Sequence, residues 1–251
     1  MTVLLNRPEP GIALLSLSNP NCRNALGIAE FEQLARAWDT IEHDSSLRCV
    51  VITGEGTTAF CSGARLGEDF STVPDINQLV DRALLKTRVF PLPLVAAVNG
   101  HCVAGGLELM LACDVRIVSA AARLGLPEVR WGIVPSGGGA LKLLEQIGHA
   151  PALRLLLTGD LVGAQEALRI GLVNEICAPA DVLARALEIA RTIAANSPLA
   201  VSHTKRLALS GRAELWASRE PAERLSADLL RNSKDAELGR EAFLEKTNPV
   251  Y

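Results

Sequence analysis

The chain has 251 residues, 49% hydrophobic and 21% charged, enough for one large globular domain, or one with a smaller appendage, around a sizeable core. A formal charge of −3 gives no basic field for nucleic acid or an anionic membrane surface, and no apolar stretch is long and unbroken enough to span a bilayer. Residues 1–11 lack the pattern of a signal peptide, and the six cysteines (Cys22, Cys49, Cys61, Cys102, Cys113, Cys177) show neither metal-site spacing nor a disulfide framework, so reduced thiols in a cytoplasmic protein are expected.

Taken in chain order, Ile12–Leu17 is a short apolar run closed by Asn19-Pro20-Asn21, which predicts a strand and a turn. Phe31, Leu34, Trp38 and Ile41 recur at helical spacing, so a helix is expected over 28–44. Val50–Thr53 followed by Gly54 reads as a buried strand. Leu94–Val98 and Val115–Val118 repeat that signal, with helices expected over 76–89 and 105–113 between them. Strands alternating with helices predict α/β layers. After a strand at Val173–Ile176 the pattern is helical: a long helix over 181–196, then Ser197-Pro198 placed to cap the next. The expected division is an α/β core over 1–195 carrying the site, and a helical C-terminal region over 196–251. That region must pack on the core or on another subunit. No short-period repeat is visible.

Three segments carry chemistry: Phe60-Cys61-Ser62-Gly63-Ala64-Arg65-Leu66, Ala104-Gly105-Gly106-Leu107-Glu108 and Leu126-Pro127-Glu128-Val129-Arg130-Trp131-Gly132. Gly105-Gly106 opens a predicted helix whose first N–H groups lack internal partners, and glycine lets backbone approach a ligand closely. The same glycines would equally serve as tight turns. Glu108 sits among Leu107, Leu109, Met110 and Leu111, so its helix is largely buried, where an unpaired carboxylate is costly. Glu128 lies in a loop that is otherwise apolar. Two such carboxylates can split their proton affinities and work as an acid/base pair. His101 with Ser62 or Ser136 lacks a nucleophile elbow. Gly137-Gly138-Gly139 before a helix looks like a phosphate cradle, but no Lys-Ser/Thr follows, which favours a structural turn. Trp131 fits either the core or the wall of an acyl pocket.

These segments, with Arg23-Asn24-Ala25-Leu26, Val98-Asn99-Gly100, Cys113-Asp114, Leu157-Thr158-Gly159, Ala164 with Ala167, Gly171-Leu172-Val173 and Phe243-Leu244-Glu245-Lys246, resemble the enoyl-CoA hydratase/isomerase (crotonase) family over nearly the whole chain. The resemblance implies an α/β crotonase-like fold, shared with Clp-type peptidases: a spiral of β-β-α units with a helical C-terminal trimerisation region. It implies a hydro-lyase that adds water syn to trans-2-enoyl-CoA and gives 3-hydroxyacyl-CoA. By the same likeness the N–H groups of Ala64 and Gly105 form the oxyanion hole, and Glu108 and Glu128 are the catalytic glutamates. Arg23, Ala25, Ser62 and Leu66 match positions that hold CoA, and Ala64, Arg65, Gly105 and Trp131 are expected beside them in the CoA and substrate site. Phe243 and Lys246 match a C-terminal pair that reaches CoA, often across a subunit boundary. The CoA thioester is substrate, no metal or other cofactor is implied, and a homotrimer or homohexamer is expected. Members that only isomerise a double bond often keep one glutamate, so an isomerase or another acyl-CoA enzyme is the alternative, and a non-catalytic acyl-CoA-binding protein another. Three positions depart from the family: Arg65 replaces Asp, Ala104 replaces the first glycine of a triplet (a mild change), and Thr247 replaces a basic residue.

Overall fold

The computed structural model, which describes residues 2–65 and 67–251, puts the apolar runs at the centre of a six-stranded sheet. Strands β1 (Val3–Glu9) and β2 (Ile12–Leu17) form an antiparallel hairpin at its edge. Next come β3 (Cys49–Gly54), β5 (Leu94–Val98), β7 (Val115–Ser119) and β10 (Glu175–Cys177), all parallel. A second sheet carries β4 (Ala59–Cys61), β6 (His101–Val103) and β8 (Arg123–Gly125) in parallel, with β9 (Val162–Gly163) antiparallel at its end.

Each pass of the chain gives one strand to each sheet, β3 then β4, β5 then β6, β7 then β8. A helix follows each pair: α2 (Ile76–Leu84), α3 (Gly105–Leu111) and, beyond a 3-10 turn at Glu128–Trp131, α4 (Gly139–Ile147). This is the expected spiral of β-β-α units. Helix α1 (Ile28–Glu42) precedes it; α5 (His149–Thr158), α6 (Ala164–Arg169) and α7 (Val182–Ala195) follow, then α8 (Pro198–Ala208), α9 (Arg212–Arg231) and α10 (Lys234–Glu245). Ser197 caps α8 by accepting the Ala200 N–H, with Pro198 at the first helical position.

The central strands read as unbroken apolar runs because both faces are covered. Val51, Val95, Ala97 and Ile117 face Val182, Ala186 and Ala190 of α7. The alternate residues Val50, Ile52, Leu94, Ala96 and Val98 enter the main core with Trp38, Phe60, Phe90, Leu107 and Met110. Several boundaries differ from expectation. The helix expected over 76–89 stops at Leu84, since Leu85 turns left-handed (φ 51°) and donates its N–H to the Asp81 carbonyl. The helix from Gly105 ends at Leu111, and the strand expected over 173–176 forms at Glu175–Cys177. Strand β1 has a polar, exposed middle, and strands of two or three residues are too short to show a period. All six thiols are free, and Cys49, Cys61, Cys102 and Cys113 are buried. No described helix is long and apolar enough to cross a membrane.

Candidate active site

Two backbone turns meet at the end of the second sheet. The Arg23 carbonyl accepts the Ser62 N–H (3.1 Å), Leu26 donates to the Gly63 carbonyl (2.8 Å), and Arg65 donates to the Leu26 carbonyl (2.9 Å). This parallel bridge leaves the Ala64 N–H without a partner among the described residues. Gly63 has φ +88°, and a Cβ there would lie 2.6 Å from the Ala104 Cβ and 3.0 Å from the Gly105 nitrogen, so only glycine lets the turns touch. A Cβ built on Gly105 would lie 3.7 Å from the Ala64 nitrogen. Gly105 is the first residue of α3, where an N–H has no partner within the helix. Among the described residues, these two N–H groups therefore lie side by side with no partner for either. Ala104 is not a mild replacement: it adopts φ 52°, ψ −128°, a region that costs a residue with a side chain about 1–3 kcal/mol.

Glu108, in the first turn of α3, is 4% exposed. Its Oε1 accepts the N–H groups of Gly137 (2.7 Å) and Gly139 (2.9 Å), and a Cβ on Gly137 would lie 2.5 Å from its Oε2. The glycine triplet is thus a cradle, but for a carboxylate of the chain itself. Burial and the Glu223 carboxylate push Glu108 up to about 7, against the pull of the two amides and Lys86. Glu128 is equally buried on its 3-10 turn, and its Oε2 has no hydrogen-bond partner among the described residues. Burial, reinforced by the charge of Glu108, holds its carboxyl well above the usual carboxylate range.

The remaining positions fall around this centre. Arg23 is exposed and left-handed (φ 53°), while Ala25 and Ser62 are half-buried along the bridge. Arg65 is ion-paired to Glu30 (3.3 Å) and Glu68 (3.1 Å). Glu30 accepts the Gly27 N–H and Glu68 the Ile28 N–H, so this cation ties the Ala64 turn to the start of α1. Leu66 lies outside the described residues. Trp131 is half-buried, with Phe243 of α10 edge-on at 5.2 Å between ring centres. Lys246 is exposed at the end of α10, where Thr247 donates its N–H to the Ala242 carbonyl. His101 accepts the Arg123 N–H and bonds to no serine among the described residues.

Three groups about Glu108 are not expected from the sequence: the glycine triplet as its cradle, Lys86 and Glu223. The triplet was visible and was assigned to a turn. Lys86 and Glu223 give no signal, because a charged residue on a segment that carries several other charges is expected to face solvent.

A β-β-α spiral with two adjacent N–H groups and two buried carboxylates defines a crotonase-type site. The chain belongs to the enoyl-CoA hydratase/isomerase family, whose model matches residues 7–251. It is 37% identical to a putative enoyl-CoA hydratase/isomerase of Bacillus subtilis, over 100% of this chain and 98% of that one. It is 34% identical to the 2,3-dehydroadipyl-CoA hydratase of Escherichia coli, over 100% and 99% of the two chains. The crystal structure of a carnitinyl-CoA hydratase from Mycobacterium avium superposes with a TM-score of 0.88 at 34% identity, covering 100% of this chain and 98% of that one.

Proposed function

We propose that the chain is an enoyl-CoA hydratase, a hydro-lyase that adds water syn across the double bond of a trans-2-enoyl-CoA. The observation that carries this reading is the pair of buried carboxylates, Glu108 and Glu128, beside the N–H groups of Ala64 and Gly105. Those N–H groups donate to the thioester oxygen and stabilise the charge it gains as the enolate forms. Glu108 takes a proton from water as the water oxygen bonds to C3. Glu128 then gives its proton to C2, the enolate collapses, and 3-hydroxyacyl-CoA results. The pair begins with one proton and ends with one, now on the other member, and transfer between the two resets the site. The electrostatics support a shared proton: burial raises both carboxyls, and the charge of Glu108 raises Glu128 further, so the pair does not readily hold two charges at once.

The substrate is the CoA thioester, and the reaction as written needs no metal or redox cofactor. Arg23, Ala25, Ser62 and Leu66 would hold CoA largely through backbone. Phe243 and Lys246 would reach it from the C-terminal helices, and Trp131 would border the acyl chain. Arg65, engaged with Glu30 and Glu68, would act there by fixing the turn. Exposed Leu199 and Leu207 on α8, and Leu225 and Leu229 on α9, support a homotrimer or a dimer of trimers formed through residues 196–251. A cytoplasmic location fits this chemistry.

The test follows loss of the enoyl-thioester absorbance with crotonyl-CoA and longer trans-2-enoyl-CoAs. Turnover falls by roughly a hundredfold or more in both Glu108→Gln and Glu128→Gln, with thioester binding retained. A wild type inert at every chain length would sink the reading. Glu128→Gln that still moves the double bond of a 3-enoyl-CoA at full rate would replace it with an isomerase.

A further inference from the structure

We propose that Glu223 of α9, ion-paired to Lys86, is a third carboxylate of this site: a positioning residue that acts on Glu108 by its charge, from behind the Gly137–Gly139 cradle. The inference rests on the proposed role of Glu108. Lys86 follows the end of α2 and is 2% exposed, yet its Nζ lies 3.0 Å from Glu223 Oε1 and 3.2 Å from Glu220 Oε1. Its stem lies beneath the middle glycine, since a Cβ on Gly138 would be 3.3 Å from Lys86 Cγ. The flanking glycines are the two that hold Glu108. Helix α9 and the base therefore meet across one tripeptide.

Stability alone does not explain such a pair. A buried ion pair is often no better than well-packed apolar residues of similar size, because both charges must leave water. Neither oxygen of Glu223 has a well-directed hydrogen bond, and the groups that favour its charged form against burial are the Lys86 ammonium and the Gly138 N–H. The groups that face Glu108 are Glu128 from the 3-10 turn, Glu223 from α9 with Glu220 behind it, Lys86, and Lys142 from α4. After burial, the Glu223 charge is the largest influence raising Glu108. Removing it leaves the base easier to ionise.

The test is an infrared titration of the Glu108 carboxyl in the full-length protein, its band identified by its loss in Glu108→Gln, together with the pH profile of kcat/KM. In Glu223→Gln the Glu108 titration and the acid limb of the profile both move down by about half a unit to one unit. Glu223→Asp keeps the charge and restores the wild-type values. Lys86→Met/Glu223→Met removes both buried charges, which protects folding, and moves the titration the same way by less. A Glu108 titration unchanged in Glu223→Gln and in the double variant overturns the proposal, whatever happens to rate or melting temperature. Full hydratase activity in Glu108→Gln would instead overturn the catalytic reading, while the infrared titration still decides whether Glu223 acts on Glu108.

Discussion

Glu108 is held where its ionised form is disfavoured, and this sets a pH dependence of stability. Its folded value of about 7 lies above the ordinary 4.5. A raised carboxyl stabilises the fold fully below the unfolded value and loses that contribution as pH rises through the folded one. Above pH 7 the ionised Glu108 thus costs on the order of 3 kcal/mol. Glutamine cannot ionise and still accepts the Gly137 and Gly139 N–H groups, so Glu108→Gln is expected to melt several degrees above wild type at pH 8 while being inactive. The gap should close as pH falls toward 4.5, and thermal melts across pH 4–8 measure it. Ala104 stores strain of a different kind. Glycine at this position relieves about 1–3 kcal/mol of backbone strain against about 0.5–1 kcal/mol of added chain entropy. Ala104→Gly should therefore raise the free energy of unfolding by about 1 kcal/mol in a urea titration, with turnover intact. At this scale, Glu108 and Glu128 were legible because each charge contradicts apolar neighbours. Glu223 was not, because a glutamate on a helix rich in Arg and Glu looks like solvent-facing surface until the packed face is known.

Helix α10 and the Glu128 turn are one mechanical unit. Gly239 allows the approach: a Cβ there would sit 2.1 Å from the Trp131 carbonyl oxygen, and one on Gly132 would sit 2.4 Å from the Asp235 carbonyl. Tyr251 adds a bond from its hydroxyl to the Arg130 carbonyl (2.9 Å). Gly239→Val should lift α10, break the Trp131–Phe243 contact and leave Glu128 without its support. Overpacking of this kind costs about 1–3 kcal/mol. The expected result is tryptic cleavage near Arg231, altered tryptophan fluorescence and turnover reduced at least tenfold; a resistant, fully active variant would refute the coupling. The helical pattern of α10 was readable from sequence, but its seat on the Glu128 turn depends on two glycines that no periodicity marks. The strands of the second sheet were illegible for a simpler reason. Three residues show no alternation, and their neighbours come from other passes of the chain.

The spiral shows why a repeated architecture left no repeat in the sequence. Strands β3, β5 and β7 begin at Cys49, Leu94 and Val115, so the units differ greatly in length while giving the same pair of strands. The long insertion between β4 and β5 holds α2 and Lys86; the short unit of β5 and β6 runs directly into α3 and Glu108. What the sequence showed plainly was the unbroken apolar run of each central strand, because α7 covers one face of the sheet and the main core the other.

The same linear order has a consequence for how the molecule is made. During synthesis the proposed oxyanion turn emerges first, at residues 62–65, followed by Glu108, then by Glu128 and by the glycine cradle of Glu108. Helices α9 and α10, which carry Glu223 and brace the Glu128 turn, emerge after all of these. A nascent or prematurely terminated chain ending before Lys234 would hold both glutamates and both N–H donors, yet lack the helix that seats Glu128. On the proposed reading, competence for turnover is thus gained only once α10 has been made, and removal of residues 234–251 would silence a site none of whose proposed reacting groups had been removed.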